Sequence, residues 1–417
     1  MSFIQSLEIH GFMGSTGIRR IEFKRDINVI TGPNGSGKTS LIKIIESAFT
    51  GDITSIRSIR FNYVEARIYS TILNGTVIRT ISKNDLSSTV VGLEDVIADN
   101  FGTMTIDGLD KQGRPKFRRA WKSKFDENVK NREPNRLDSS WAHRYLPTNR
   151  IVRDGASRSK NLPAVKGNQI GEDELNQIIA QQINANYERI NLLQNRKIAI
   201  AQGAGMRRVL QSVIGGIRVD SLSENKGELI DDDLLQSLYK SMCNVTKREG
   251  FSSDSNISIE DLRAGINRDA RLLEIFKEFH EIESRVRSIS APLERFKESL
   301  SAYLGGNLKI SFGSEGIEAK TMDGKEVELK FLSSGQKQII GILVECILAE
   351  ENLFMVDEPE ISLHIEWQQK LVSSLTLINP LAQIILATHS PEIAASVSSG
   401  NEIALTSLYS GSDNDED

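Results

Sequence analysis

The stretch NVITGPNGSGKTSLIKIIE, residues 28–46, decides the fold. Its first residues continue an apolar strand that begins in IEFKRD, residues 21–26. Gly32 to Thr39 then match G-x-x-x-x-G-K-[ST], and an apolar helix follows from about Lys38. Glycines let backbone N–H groups turn inward around a phosphate, and the start of the helix adds its positive dipole end. A chance glycine turn is the alternative, but the flanking strand and helix favour a phosphate-binding loop in an α/β domain.

A second strand near the other end of the chain carries acidic residues at its tip. The apolar run LFMV, residues 353–356, leads directly into Asp357 and Glu358. Adjacent carboxylates at a strand end suit phosphoryl transfer, because one can support Mg²⁺ while the other aligns water. Downstream, the apolar run Ile384 to Ala387 ends close to His389, which is placed to sense a terminal phosphate. Without the glycine loop, a charged turn and a structural histidine would be the preferred interpretations.

A third motif opens the apolar helix in LKFLSSGQKQIIGILVECILAEE, residues 329–351. The residues Leu332 to Gln336 stand at its start, where free N–H groups, serine hydroxyls and a helix dipole can meet an anion. This predicts a second phosphate-binding helix start, immediately before the acidic strand.

Together these motifs resemble the signature, acidic-strand and switch motifs of ABC-type ATPases, and DEPEISLH with ATHSPEI resembles the OLD-like branch of that class, which is related to the RecF and SMC proteins. The resemblance covers residues 1–80 and 306–400. It implies an α/β ATPase head that is split into N- and C-terminal halves around a central helical insertion. It also implies that ATP and Mg²⁺ are bound at composite sites between two copies, each signature closing over the ATP held by its partner.

The resemblance also assigns roles to single residues. Glu358 becomes the general base, His389 the switch histidine, and Lys38 a further catalytic residue. Thr39 and Asp357 become the metal-supporting pair. The residues implied in nucleotide binding are Gly32, Pro33, Asn34, Gly35, Ser36, Gly37, Lys38, Thr39, Ser40, Ser333, Ser334, Gly335, Gln336 and Ser362. His364 falls in the same loop as Ser362. The segment RYLPTNR, residues 144–150, resembles the Q-loop region but holds no glutamine, so Asn149 is the predicted substitute.

Four segments are predicted along the chain. They are the N-terminal half of the head (1–83), a basic insertion ending in the Q-loop-like segment (84–166), a helical, coiled-coil-like insertion (167–305) and the C-terminal half (306–417). In the first, residues 61–83 alternate around an Asn-Gly pair, which predicts a β-hairpin that completes an antiparallel side sheet.

The basic insertion contains a strongly cationic segment, residues 111–166, with 16 Lys and Arg against 5 Asp and Glu, a net of +11. Since the whole chain is −5, the remainder is −16. Phe117, Trp121 and Phe125 are interleaved at helical spacing. The segment is either a solvated face or a surface for DNA, an acidic DNA-mimic phage protein or an acidic subunit.

The helical insertion is predicted to contain two long helices. Residues 172–201 read as one helix, followed by loops that include GGIRVDSLSENKGE, residues 215–228. From Leu272 to Tyr303 apolar residues alternate at spacings of three and four, and Pro292 should kink or divide that helix. The helices either pack on their neighbours or form a short antiparallel arm for assembly. The acidic end, GSDNDED, reads as disordered.

Composition and absences narrow the function. Neither a run of about 18 apolar residues nor a signal-peptide start is present, and Cys243 and Cys346 form no CxxC, so a cytoplasmic protein is expected. Only 27 residues follow Ser390, and the histidines are scattered, so no intrinsic Toprim or HNH nuclease is expected. The resemblance implies an ATPase sensor that controls a separate Toprim or HNH nuclease subunit, as in PARIS-type or Septu-type anti-phage systems. The alternative is a RecF- or SMC-like DNA clamp in repair or recombination.

Overall fold

Two sheets and their helices form the larger part of the fold. A computed structural model describes residues 2–71, 73–84, 104–109, 115–119, 121–125, 141–148, 153–154, 172–217, 232–233, 235–240, 258–306, 308–313 and 316–405. The strands are β1 (Ser2–His10), β2 (Ile18–Glu22), β3 (Ile27–Thr31), β4 (Tyr63–Ser70), β5 (Gly75–Ser82), β6 (Met104–Leu109), β7 (Pro115–Arg119), β8 (Lys122–Phe125), β9 (His143–Leu146), β10 (Arg153–Asp154), β11 (Leu308–Phe312), β12 (Ile317–Thr321), β13 (Glu326–Val327), β14 (Leu353–Asp357), β15 (Gln383–Thr388) and β16 (Glu402–Ala404). The helices are α1 (Lys38–Thr50), α2 (Glu172–Ile217), α3 (Ile259–Arg268), α4 (Ala270–Leu304), α5 (Ser334–Leu348), α6 (Ile365–Ile378) and α7 (Pro391–Ala395).

The central sheet has the order β10-β9-β14-β15-β3-β16, and every neighbouring pair except β10 with β9 is parallel. Its inner strands are apolar on both faces, as a sheet covered on both sides requires. The register pairs Asp357 with Ala387, and Thr31 with Thr388. Parallel strands end at one edge, so the glycine loop, the acidic pair and His389 all follow strand ends at the same edge.

The second sheet is antiparallel, with the order β2-β1-β4-β5-β8. The predicted hairpin is confirmed as β4 and β5 around Asn74 and Gly75. Buried side chains of this sheet, of α1 and of β14 and β15 form one hydrophobic core. The predicted α/β class, with a helical insertion between two halves of the head, is thereby confirmed.

The strand expected to run unbroken from residue 21 through Thr31 is instead two strands in different sheets. β2 ends at Glu22 and β3 begins at Ile27. The buried Asn28 side chain, on β3, accepts the backbone N–H of Lys24 at 2.7 Å and donates to the Lys24 carbonyl at 2.9 Å. The side-chain amide of Gln383 is fully buried. Its oxygen accepts the backbone N–H of Ile4, and its nitrogen donates to the backbone carbonyls of Ile4 and Lys24. These amides stabilise a corner that the hydropathy pattern does not reveal.

The helical spacing read in the cationic segment is wrong. Phe117 lies on β7 and Phe125 on β8, while Trp121 precedes β8 and is only 3% exposed within the main core. The Trp121 indole N–H donates to the Ser47 hydroxyl at 3.0 Å. Residues four apart lie on the same face of a strand as well as of a helix, so the spacing alone did not distinguish a helix from strands. Most of residues 111–166 lie outside the described residues.

The chain divides into two compact units, residues 1–187 with 295–417 and residues 188–294. In the second unit α2 and α4 run antiparallel, with Arg208 bonded to Glu278 at 2.7 Å and Gly205 against Ile282. Helix α2 continues to Ile217, beyond the predicted end at residue 201, and so takes in the start of the predicted loop. Helix α4 is not divided at Pro292, which lies inside it. Among the described residues, no helix has the length and apolar composition needed to cross a bilayer.

Candidate ATP site

The glycine loop, residues 32–37, joins β3 to α1. Gly37 has φ +96°, and a Cβ there would come within 2.9 Å of the Phe12 ring, so only glycine fits. Lys38 is 5% exposed, and its Nζ donates to the carbonyls of Gly32 at 2.7 Å and Pro33 at 3.2 Å. The Lys38 side chain therefore folds back over the glycine loop, which is the loop expected to bind a phosphate.

The acidic strand meets this loop through a hydrogen bond between residues 318 positions apart. The Thr39 hydroxyl donates to Asp357 Oδ2 at 2.8 Å, and the Thr148 hydroxyl donates to the same oxygen at 3.0 Å. Asp357 Oδ1 is buried and has no hydrogen-bond partner among the described residues. Burial raises the pKa of Asp357, while the two hydroxyls and the charges of Lys43 and Lys38 oppose that rise.

Glu358, the next residue, is half-buried and occupies the left-handed region with φ +50°. Its backbone N–H donates to the Ala387 carbonyl at 2.8 Å, which holds the chain in this unusual conformation. Residues in sparsely populated backbone regions cluster at functional sites, and here the conformation turns the chain at the end of β14.

The start of α5 is capped and tightly packed. Ser333 Oγ accepts the Gln336 backbone N–H at 3.2 Å, and Gln336 Oε1 accepts that of Ser333 at 2.9 Å, a reciprocal capping box. Ser333 and Ser334 are exposed. Gly335 is buried, and a Cβ there would lie 2.3 Å from the Ser362 carbonyl oxygen. The signature helix and the loop containing Ser362 therefore meet backbone to backbone.

The loop after β15 presents His389, whose side chain is 45% exposed. Ser390 caps α7, and its hydroxyl donates to Gln368 Oε1 at 2.7 Å. In the loop before α6, Ser362 has φ +64°, and His364 caps the helix by accepting the Glu366 backbone N–H at 3.4 Å.

Sequence reasoning missed three polar residues. Thr148, which donates to Asp357, is the neighbour of Asn149, the predicted Q-loop substitute, and Asn149 lies outside the described residues. Glu360 binds His389, and the buried Glu345 of α5 accepts hydrogen bonds from Arg144 at 2.9 Å and from Asn186 at 2.6 Å. The last acid of DEPE, residues 357–360, was a visible signal for Glu360. The other contacts depend on strand register and helix packing.

A sequence family described as AAA ATPase domain matches residues 3–394. The chain belongs to this ATPase family. Nucleotide binding follows from that membership, and the predicted class of ATPase is confirmed.

Two curated proteins match shorter stretches. Septu protein PtuA of Bacillus thuringiensis is 37% identical over 81 residues, 19% of this chain and 18% of that protein. The probable ATPase of retron Vc95 from Vibrio cholerae serotype O1 biovar El Tor is 31% identical over 90 residues, 18% of each. The matched stretch is thus under a fifth of either relative.

Two solved SMC head domains are similar to the chain at low identity. The Smc head domain with a coiled coil and joint from Pyrococcus yayanosii is 16% identical, with a TM-score of 0.42, covering 97% of this chain and 95% of that one. The SMC head domain from Thermotoga maritima is 12% identical, with a TM-score of 0.38, covering 95% and 92%.

Proposed function

We propose that this chain binds and hydrolyses ATP as the sensor or scaffold subunit of an anti-phage defence system and controls a separate nuclease effector. The observation that carries the ATPase part is the hydrogen bond from Thr39 to Asp357, which joins the glycine loop to the acidic strand. The defence part is supported by the short matches to a Septu protein and a retron ATPase.

Mg²⁺ suits the oxygen groups around Asp357. Asp357 Oδ1 is a buried acceptor without a partner among the described residues, and Oδ2 faces two hydroxyls. Mg²⁺ is commonly held by one or two carboxylates together with substrate phosphates and water. Thr39 and Asp357 would hold the ion, with the Thr148 hydroxyl completing the group, and Asn149 would stand in for the Q-loop glutamine. When bound, the ion neutralises charge on the phosphates.

The chain's own residues would then divide the work. Lys38 would move its ammonium from two loop carbonyls to the β- and γ-phosphates, and the loop N–H groups would bind the β-phosphate. Glu358, at the tip of β14, would accept a hydrogen bond from the attacking water and orient it. His389 would face the terminal phosphate from the neighbouring strand end.

The exposed Ser333 and Ser334 support a site completed by a second copy. Their helix start can offer hydroxyls and N–H groups to a phosphate held by another chain. The assembly would be a homodimer or higher homo-oligomer. Its chains would contact one another across the two bound ATP molecules and through the antiparallel helices of the insertion. Further partners would be a Toprim or HNH nuclease subunit, and DNA or an acidic DNA-mimic phage protein as trigger.

Two substitutions test the ATPase assignment. Glu358→Gln should keep ATP binding and lower turnover by about 100-fold or more, because water is no longer oriented. It should also trap an ATP-bound dimer, whereas Lys38→Ala should lose binding itself. Wild-type turnover in Glu358→Gln would remove Glu358 from this role.

The effector assignment needs a separate experiment. The chain should co-purify with a nuclease encoded by a neighbouring gene, in an amount set by ATP and the trigger. ATP-dependent binding to DNA ends or gaps without any such complex would favour the RecF- or SMC-like clamp instead.

A further inference from the structure

His389 is held by one buried carboxylate through two hydrogen bonds. Glu360 Oε1 accepts the backbone N–H of His389 at 2.8 Å and lies 2.9 Å from the ring Nδ1. The Glu360 side chain is 6% exposed, whereas that of His389 is 45% exposed. The contact fixes both the backbone and the ring of the histidine, with the other edge of the ring available to a ligand.

The protonation of Nδ1 follows from this geometry. Because Glu360 Oε1 already accepts the backbone N–H, a ring nitrogen sharing that oxygen must bring its own proton. Ring Nε2 has no hydrogen-bond partner among the described residues. The neighbouring hydroxyl does not compete for Nδ1, because Ser390 Oγ donates to Gln368 at 2.7 Å and contacts Glu392 at 3.2 Å.

The Glu360 carboxylate has few other partners. Within the described ranges, no Lys or Arg lies within 4 Å of the Glu360 carboxylate, and Oε2 has no hydrogen-bond partner. A buried carboxylate is costly unless hydrogen-bond donors satisfy it. Among the described residues, the backbone N–H and ring Nδ1 of His389 are the groups that meet this carboxylate, so the two side chains are held together.

We propose that Glu360 is a positioning residue for ATP hydrolysis: it accepts the Nδ1–H of His389 and holds the ring so that its Nε2 edge faces the terminal phosphate of ATP. This inference rests on the proposed ATPase function. Glu360 itself touches no substrate; it acts through the ring, as a carboxylate does when it orients a functional histidine.

Two substitutions separate orientation from charge. Glu360→Ala removes the acceptor and should lower kcat by roughly 10- to 100-fold, with the KM for ATP changed less than about threefold, the range expected when a group that orients a functional histidine is lost. Glu360→Gln keeps an acceptor oxygen without the charge, so it should retain more activity than Glu360→Ala. Glu392→Ala is the matched control, since that carboxylate contacts the same loop through Ser390 and not the ring.

A spectroscopic readout distinguishes positioning from loss of structure. In the full-length chain with ¹⁵N-labelled histidine, ring nitrogen shifts report the tautomer, and His389→Ala identifies the signals of His389. Wild type should carry the proton on Nδ1, Glu360→Gln should keep it, and Glu360→Ala should move toward the Nε2-protonated tautomer of free histidine.

The inference is overturned if Glu360→Ala keeps Nδ1 protonated, whether or not activity falls, or if kcat stays within about twofold of wild type. If Glu360→Ala does not fold, Glu360→Gln decides, because its amide oxygen should still accept the Nδ1 proton; loss of the Nδ1 proton in Glu360→Gln overturns the proposal. A wild type that binds but never hydrolyses ATP contradicts the ATPase function, while the tautomer measurement still tests the Glu360–His389 pairing.

Discussion

Asp357 is a buried carboxylate that lowers the stability of the ligand-free protein at neutral pH, although it is suited to binding a cation. Burial raises the pKa of its carboxyl group, so the folded chain binds that proton more tightly than the unfolded chain does. The stabilising contribution is therefore present at low pH and is lost as pH rises through the folded pKa. At neutral pH the buried carboxylate destabilises the ligand-free protein, and a bound cation would relieve that cost.

Asp357→Asn should therefore raise the melting temperature of the ligand-free protein at pH 7 while removing Mg²⁺-dependent turnover. A gain of roughly 1 kcal/mol corresponds to about 2–4 °C in a domain of ordinary size. Differential scanning fluorimetry from pH 5 to 8 measures it, and the gain should shrink toward low pH. Asp323→Asn, at an exposed hairpin carboxylate, is the control. A lower melting temperature for Asp357→Asn at pH 7 would contradict the argument.

Thr148 is the second residue for which a contribution to Mg²⁺ binding can be measured. Thr148→Val keeps the shape of the side chain and removes the hydroxyl from Asp357, so half-maximal ATPase activity should need several-fold more Mg²⁺. Thr148→Ser should restore the wild-type requirement, because the hydroxyl returns. A titration of Mg²⁺ at saturating ATP gives both values. Equal requirements in all three proteins would show that the contact has no role in holding the ion.

At the scale of elements, the backbone at the start of α5 lies so close to the backbone of Ser362 that a side chain at Gly335 would clash. Gly335→Ala should force α5 and the loop containing Ser362 apart, at a cost of about 1–3 kcal/mol. Gly341→Ala in the same helix is the matched control. A Cβ at Gly341 meets nothing within 4 Å, so alanine should stabilise the protein by about 0.5–1 kcal/mol through helix propensity. Chemical denaturation of both variants tests this, and equal effects would contradict it.

Strand β8 presents a charged surface, and the residue just before it is part of the core. Trp121 is buried in the core, whereas Lys122 and Lys124 are exposed on the strand. Trp121→Ala should cost about 3–5 kcal/mol. Reversing both lysines to Glu should leave the melting temperature nearly unchanged but weaken binding of duplex DNA or an acidic DNA-mimic protein. Titrations at several salt concentrations test this, because binding through such contacts falls steeply with salt. Equal binding by the double variant and wild type would leave β8 without a role in recognition.

The elements that sequence predicted are those whose signals are local. The glycine loop, the apolar strands before Asp357 and His389, and the Asn-Gly hairpin each carry their evidence within about 20 residues. Apart from the spacing of Phe117, Trp121 and Phe125, the errors concern partners that are distant in sequence. Whether residues 21–31 form one strand or two depends on buried amides from Asn28 and Gln383. Thr148 reaches Asp357 because β9 pairs with β14, with Leu146 opposite Val356, and no local pattern encodes that register.

At the scale of the whole molecule, the prediction is that each ATP site is formed by two chains. The exposed, capped helix start at Ser333 is suited to a phosphate bound by another copy. A Lys38→Ala chain and a Ser333→Arg chain, each inactive alone, should therefore regain part of the activity when mixed. In a mixed dimer one of the two sites combines an intact glycine loop with an intact signature, while the other carries both defects. With equal mixing and random exchange, half of the dimers are mixed, so about a quarter of wild-type activity per chain is the upper expectation.

Subunit exchange must be measured in the same samples, by energy transfer between differently labelled chains. A mixture of Lys38→Ala with Glu358→Gln is the informative control, because both residues belong to the same half of a composite site. The intact glycine loop in that mixture is always accompanied by a defective general base, so exchange restores no complete site. Recovery with Ser333→Arg and none with Glu358→Gln would place the signature on the partner's ATP. Demonstrated exchange without recovery in either mixture would mean that Ser333 serves its own chain, and the capped helix start would then have to act within a single subunit.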